Sequence, residues 1–304
     1  MSIDVLTKKI KEKNNPTVAG LDPKLDYVPK HIKEKNFKQF GKTAKAAAAS
    51  IFEFNCGLID ALCDVVPAVK PQSAYYEMLG PSGAAVFKDT IDYAKGKGLY
   101  VIADVKRNDI GSTAEAYAAA YLGYTEIEGE KIAPYGADSA TVNAYLGTDG
   151  IEPFLKICKG LGKSIFVLVK TSNKSSGEFQ NRDMEGKPLY ERVAEMMNEW
   201  SKDLMTPCGY SEVGAVVGAT YPEEQKRLRA LLPNAYFLVP GYGAQGASAS
   251  DIKNAFDKNG MGAIVNSSRA IMCAWKKTDK NGEDYMDAAR KEAVRMRDEI
   301  MSVL

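Results

Sequence analysis

Eight short β-branched runs recur along this chain, each separated from the next by a longer segment. That alternation narrows the fold more than any single motif. The runs are 17–21, 68–70, 100–105, 140–143, 164–170, 213–218, 236–240 and 263–266. Most are apolar without strict alternation, as parallel strands covered by helices read. The segments between them carry helical spacing. Over 42–66, Ile51, Phe54, Leu58, Leu62 and Val65 recur at intervals of three and four, and Ala289, Ala293, Met296, Ile300 and Val303 repeat the pattern near the end. Such spacing puts one apolar stripe on each helix. Eight strand–helix units predict an α/β fold, a (β/α)8 barrel in one domain over 1–304 with loop insertions. A doubly wound open sheet usually has fewer strands, and no G-x-G-x-x-G follows the first run.

Three stretches read as insertions: the basic 26–41, then 123–138, then the polar 172–188. No linker divides the chain. Composition excludes several function classes. With 40 Lys+Arg against 39 Asp+Glu, the net charge is +1, which gives no long-range attraction to nucleic acid or anionic membrane. No apolar run approaches the ~18 residues of a membrane span. The start, MSIDVLTKKIKEKNNP, has no signal-peptide apolar region. The five cysteines form no C-x-x-C pair and read as thiols of a reducing cytoplasm. His31, the single histidine, lies in a Lys-rich stretch and reads as solvated. A two-histidine metal site is therefore excluded, and acid–base chemistry falls to Lys, Asp, Glu or Tyr.

Loops after strand C-termini line the active face of such barrels. Here those ends carry Asp22, Lys70, Asp104 with Lys106, Asn143, Thr171 with Ser172, Pro240, and Ser268 with Arg269. So many polar groups on one rim point to a charged ligand. Strand residues two apart face the same way, so Asp104 and Lys106 are expected to point together into the barrel mouth, with Lys70 on the neighbouring strand. Asp109 follows in the loop. A lysine flanked by carboxylates keeps its proton. It is then a poor Schiff-base nucleophile but a good fixed cation and proton donor. A surface cluster of salt bridges is a second reading of the same spacing.

The seventh run leads into Gly241, Gly243, Gln245 and Gly246, and the eighth ends at Ser268-Arg269. Closely spaced glycines let backbone N–H groups approach an anion. A guanidinium at a helix start completes a phosphate clamp. The glycine- and serine-rich stretch 241–250 reads as a lid.

Together these residues resemble the orotidine 5′-phosphate decarboxylase family. The resemblance rests on Asp104-x-Lys106-x-x-Asp109-Ile110, Gly20-Leu21-Asp22-Pro23, Lys70, Pro240-Gly241-x-Gly243-Ala244-Gln245-Gly246 and Ser268-Arg269, in the family's order over roughly 17–275. It implies removal of CO2 from orotidine 5′-monophosphate to leave UMP, a step of pyrimidine synthesis, with no cofactor and no metal. It implies Lys106 as proton donor to C6, Asp104 beside the departing carboxylate, and Lys70 holding Asp104 and a ribose hydroxyl. Asp22 would bind ribose, and Gln245 with Arg269 would bind phosphate. Thr171 and Ser172 would read the base edge, with Pro240 near the ring and Gln72 and Asn143 as further contacts. It also implies a homodimer in which Asp109 and Thr113 serve the partner's site. A magnesium-dependent sugar-phosphate lyase would share the barrel and the D-x-K-x-x-D motif. Two more readings stay open: an aldolase using Lys106 or Lys170 as a Schiff base, and a non-catalytic nucleotide-binding barrel.

Overall fold

In the computed structural model, which describes residues 1–243 and 248–304, eight strands close into a parallel barrel. They are β1 (Thr17–Leu21), β2 (Ala68–Pro71), β3 (Tyr100–Arg107), β4 (Ser139–Val142), β5 (Ser164–Lys170), β6 (Val213–Val217), β7 (Phe237–Val239) and β8 (Ala263–Ser267). Each pairs with its neighbours in sequence, and β1 closes on β8 through Thr17↔Val265 and Ala19↔Ser267. All eight runs predicted from sequence form strands, with ends shifted by at most two residues.

Alternate residues explain why hydrophobicity does not alternate. Val18, Ile102, Phe166, Val216, Leu238 and Ile264 fill the barrel interior. Ala19, Val101, Ala103, Val167, Val217, Phe237, Val239 and Val265 face the surrounding helices. Both faces are dry, so both are apolar. The helices Ala44–Leu62 and Tyr285–Met301 carry the two predicted apolar stripes, except Val65 and Val303, which lie past their ends, and pack on this outer face.

The strand–helix alternation assigns no element to the first residues. They form the helix Ser2–Lys13, whose Ile3, Leu6 and Ile10 join the interior cluster at the start of the strands. That three-and-four spacing is the signal available in the sequence. Burying each such side chain contributes roughly 2 kcal/mol. Its first turn is anchored by Glu212, whose carboxylate accepts the N–H groups of Ser2 (2.6 Å) and Ile3 (3.0 Å). Burial pushes the Glu212 carboxyl up to about 7, although these two donors favour its charge. The unfolded chain releases this proton at a lower pH than the folded one. Its contribution to stability is therefore greatest below the unfolded value and is lost as pH rises towards 7. Glu212→Gln should remove that slope, seen as melting temperatures at pH 5 and 7.5 that differ less than in the parent. An unchanged slope would mean that Glu212 is already ionised at pH 5.

The insertions hold structure of their own. Residues 26–41 contain the helix Lys30–Phe40, with His31 exposed on it. Residues 123–138 form a hairpin, Thr125–Ile127 against Glu130–Ile132. Residues 172–188 hold a short 3-10 turn, Lys174–Glu178, and a two-residue ladder, Asp183–Met184 against Lys187–Pro188. Among the described residues, no helix is long and apolar enough to cross a membrane.

Candidate active site

The interior positions change character at the C-terminal end of the strands. Below, Ala68 and Ile102 are core residues; two residues on, Lys70 and Asp104 occupy the same inward parity. Both are almost completely buried, at 4% and 6% exposure. The Lys70 Nζ donates to Asp104 Oδ2 at 2.7 Å and lies 3.9 Å from Asp22 Oδ1. The Lys106 Nζ donates to Asp104 Oδ1 at 2.5 Å. One buried carboxylate thus sits between two ammonium groups.

Burial alone would push the Asp104 carboxyl up, but Lys70 and Lys106 outweigh it and hold the group well below the usual carboxylate range. Burial would likewise pull the Lys70 ammonium down, and Asp104 and Asp22 overcome this to hold it above its ordinary value. The carboxylate's contribution to stability is lost only in strong acid, and that of the ammonium only above the unfolded lysine value. Both stay charged across the neutral range.

Lys106 reaches Asp104 by a route that differs from strand parity. Its backbone is left-handed, with φ +48°, which costs a non-glycine residue roughly 1–2 kcal/mol. The β3–β4 register runs through Ile102↔Ser139 and Ala103↔Ala140, then shifts before Arg107↔Val142. Lys106 lies in this irregular stretch. Asp104 and Lys106 do meet, but through a turned backbone and not as neighbours on a regular strand.

Thr141 of β4, absent from the sequence-derived site, holds that turn. Its Oγ1 accepts the N–H groups of Val105 (3.0 Å) and Lys106 (2.9 Å) and donates to Asp104 Oδ1 (2.9 Å). The signal was its inward parity, two residues after buried Ser139. Thr141→Val should leave one buried and one partly buried N–H group unpaired and cost about 1–3 kcal/mol of stability. Turnover should fall about tenfold with product affinity nearly unchanged, because the charges survive but Lys106 loses its fixed position. Wild-type turnover in a folded Thr141→Val protein would remove Thr141 from this role.

Arg107, a variable position of the motif, ion-pairs with Glu77 and lies over the rings of Tyr117 and Tyr121. It ties the end of β3 to the helix Gly111–Tyr121. Asp22 is half-buried, and its Oδ1 has no hydrogen-bond partner. Gln72 is half-buried and accepts the Ala74 N–H at 3.4 Å. Gly20 has no room for a side chain: a Cβ there would lie 1.9 Å from Ser268 Oγ, so the ends of β1 and β8 meet at a glycine.

The remaining predicted residues spread around the same rim. Asn143 is half-buried and accepts the Tyr145 N–H at 2.9 Å. The Thr171 hydroxyl is engaged inside its own loop, donating to Asn173 Oδ1 (2.6 Å) and accepting from Gln180 Nε2 (2.8 Å). Ser172 is half-buried and packs against Gly218, where a Cβ would approach its backbone to 2.8 Å. Pro240 is half-buried, and Gly241 and Gly243 adopt positive φ of 97° and 69°. Ser268 precedes the single helical turn Arg269–Met272, with Arg269 exposed at its start. Gln245 lies outside the described residues, as does part of the predicted lid.

Asp109 and Thr113 are not joined to the charged cluster of their own chain. The Asp109 carboxylate accepts the Ile110 N–H at 2.8 Å, and Thr113 is exposed on the helix Gly111–Tyr121. Beside the rim lies an apolar cavity of about 580 Å³, lined in part by Asn143, Leu168, Gln180 and Tyr190. It contains none of the cluster's ionic residues, so the chemistry is assigned to the charged rim. Among the described residues, no group of three or more His, Cys, Asp or Glu side chains is placed to hold a metal ion.

Comparison with known proteins agrees with this geometry. The model of the Orotidine 5′-phosphate decarboxylase / HUMPS family matches residues 28–280. The orotidine 5′-phosphate decarboxylase of Rhodopirellula baltica is 45% identical over 288 residues, covering 93% of each chain. That of Clostridium tetani is 40% identical over 305 residues, covering 100% of this chain and 99% of the relative. The structure of Leishmania donovani OMP decarboxylase superposes with a TM-score of 0.75 at 29% identity, covering 99% of this chain and 98% of the other. A closed barrel crowned by this charge cluster, with relatives matched along nearly its whole length, belongs to the orotidine 5′-phosphate decarboxylase / HUMPS family.

Proposed function

We propose that the chain is a carboxy-lyase that converts orotidine 5′-monophosphate to UMP and CO2, with Lys106 delivering the proton to pyrimidine C6. The observation that carries this reading is the buried Asp104 carboxylate held between two ammonium groups at the barrel mouth. Decarboxylation leaves an electron pair on C6 as the bond to CO2 breaks, and the pyrimidine offers no conventional electron sink. A fixed cation at the place where charge develops is then the main source of stabilisation. Lys106 is such a cation and carries a transferable proton. Its transfer gives UMP and a neutral amine, which water reprotonates.

Asp104 would face the departing carboxylate and disfavour the bound ground state, while holding both lysines in place. Asp22, whose Oδ1 lacks a partner, suits a ribose hydroxyl near Lys70. Gly241, Gly243, Ser268 and Arg269, with Gln245, would take the phosphate. Binding energy gained at that remote end can be used to align the reacting end. Ser172 would read the base edge, with Thr171 shaping its loop and Pro240 and Asn143 near the ring. The active form would be a homodimer in which Asp109 and Thr113 enter the partner's site. Ile110 and Tyr145, apolar and 54% and 81% exposed, suit burial by a second copy. The reaction would need no metal or organic cofactor and would belong to pyrimidine synthesis in the cytoplasm.

The test is ultraviolet loss of orotidine 5′-monophosphate in EDTA. Turnover is expected at full rate. Tight UMP binding without turnover would favour a non-catalytic barrel, and neither turnover nor UMP binding, with Mg²⁺-dependent turnover of a sugar phosphate instead, would favour a sugar-phosphate lyase of the same barrel superfamily.

A further inference from the structure

We infer that Lys170 is a positioning residue for base recognition, clamping the 171–181 loop against the end of β6. This inference rests on the proposed nucleotide chemistry and adds a residue that the chemistry itself does not use. Lys170 ends β5 and is completely buried. An aliphatic residue would be expected there, because a buried ammonium needs compensation. Among the described residues, no carboxylate forms an ion pair with it. Its partners are neutral and come from the loop: Nζ donates to Ser176 Oγ and to Asn181 Oδ1, each at 3.0 Å. The ring of Tyr221, from the segment after β6, lies 4.2 Å below the ammonium. A cation over an aromatic face is stabilised when desolvated.

These bonds close a ring. Ser176 Oγ donates to Tyr221 Oη at 3.4 Å, and Tyr221 Oη donates to the Asn173 carbonyl at 3.4 Å. Thr220 Oγ1 donates to the Ser172 carbonyl at 3.2 Å. Gln180 then fixes Thr171 on both its N–H and its hydroxyl. The loop carrying Thr171 and Ser172 is therefore held from both flanks, and Lys170 is the one charged member holding Ser176 and Asn181 together. Burial pulls this ammonium below the ordinary lysine value, partly opposed by the Glu224 carboxylate.

A clamp on the base-reading loop predicts a selective loss. Lys170→Met keeps the length of the side chain and removes the donors. The affinity for UMP should fall about tenfold, the size expected from losing one anchoring contact. The affinity for ribose 5-phosphate, which has the sugar and phosphate but no base, should stay within twofold. KM for orotidine 5′-monophosphate should rise more than kcat falls. Asn181→Leu, at an exposed position, should shift the same ratio in the same direction. It keeps the inference testable if Lys170→Met does not fold. Parallel loss of both ligands, or a lowered melting temperature with unchanged UMP affinity, would overturn the clamp and leave the decarboxylase reading standing. Failure of the unaltered chain to bind UMP would overturn the nucleotide reading and the clamp with it.

Discussion

Replacing Lys106 with alanine is expected to lower decarboxylation by roughly 10⁴-fold or more, because in the proposed mechanism one residue supplies both the proton and the nearest positive charge. UMP should still bind, since the residues proposed to hold its phosphate and base lie elsewhere on the rim. The control is built into the geometry. Asp104 keeps its 2.7 Å bond to Lys70 when Lys106 is removed, so the carboxylate is not left unpaired and the barrel should remain folded. Steady-state turnover and UMP titration on the same preparation separate the outcomes. Near-normal turnover would exclude Lys106 as proton donor. Loss of UMP binding would make it a general binding cation.

Asp109→Ala is expected to be nearly as inactive, but for a reason that mixing can expose. If Asp109 serves the site of a second copy, Lys106→Ala and Asp109→Ala chains fail in different halves of the same site. A dimer of one of each places a chain with Lys106 intact opposite a chain with Asp109 intact, which makes one complete site and one doubly damaged site. Random reassortment of equal amounts yields half mixed dimers, so about a quarter of wild-type activity should return, as twofold symmetry requires. The measurement is activity after mixing, with heterodimer formation followed by a mass tag. No recovery with heterodimers present would place Asp109 in its own chain's site or outside any site.

Much of this is legible in the residues, and the limits have physical causes. The eight strands are readable because barrel strands are dry on both faces, which makes each a β-branched run bounded by polar residues. Lys70 and Asp104 are readable because period-two parity carries inward-facing positions from core to rim. For Lys106 the spacing is only partly the right reason: it gives the destination, while the left-handed backbone depends on Thr141 from another strand. Thr141 itself escapes notice because a threonine in a strand looks like ordinary β propensity until its two N–H partners are known. Lys170 reads in sequence as one of the polar strand ends and a possible Schiff base, since sequence does not show that its partners are neutral and come from its own loop. The helix Lys30–Phe40 is hidden within a stretch that reads only as basic, with few apolar residues to mark a face.

The pairing of Thr17 with Val265 bears on how the chain reaches its fold. β1 is made first and can be paired on one edge by β2, but its other edge waits for β8, almost the whole chain later. Until then the edge is open and offers unpaired N–H and C=O groups to any neighbouring strand. The helix Ser2–Lys13 waits too, because the interior that receives Ile3, Leu6 and Ile10 includes Ile264 of β8. Closing so distant a contact is entropically costly and slows folding. A chain cut short before β8 would leave β1 and β7 each with an exposed edge and the apolar first helix undocked. Such a fragment should aggregate where the full barrel stays monodisperse, so productive folding depends on the last strand synthesised.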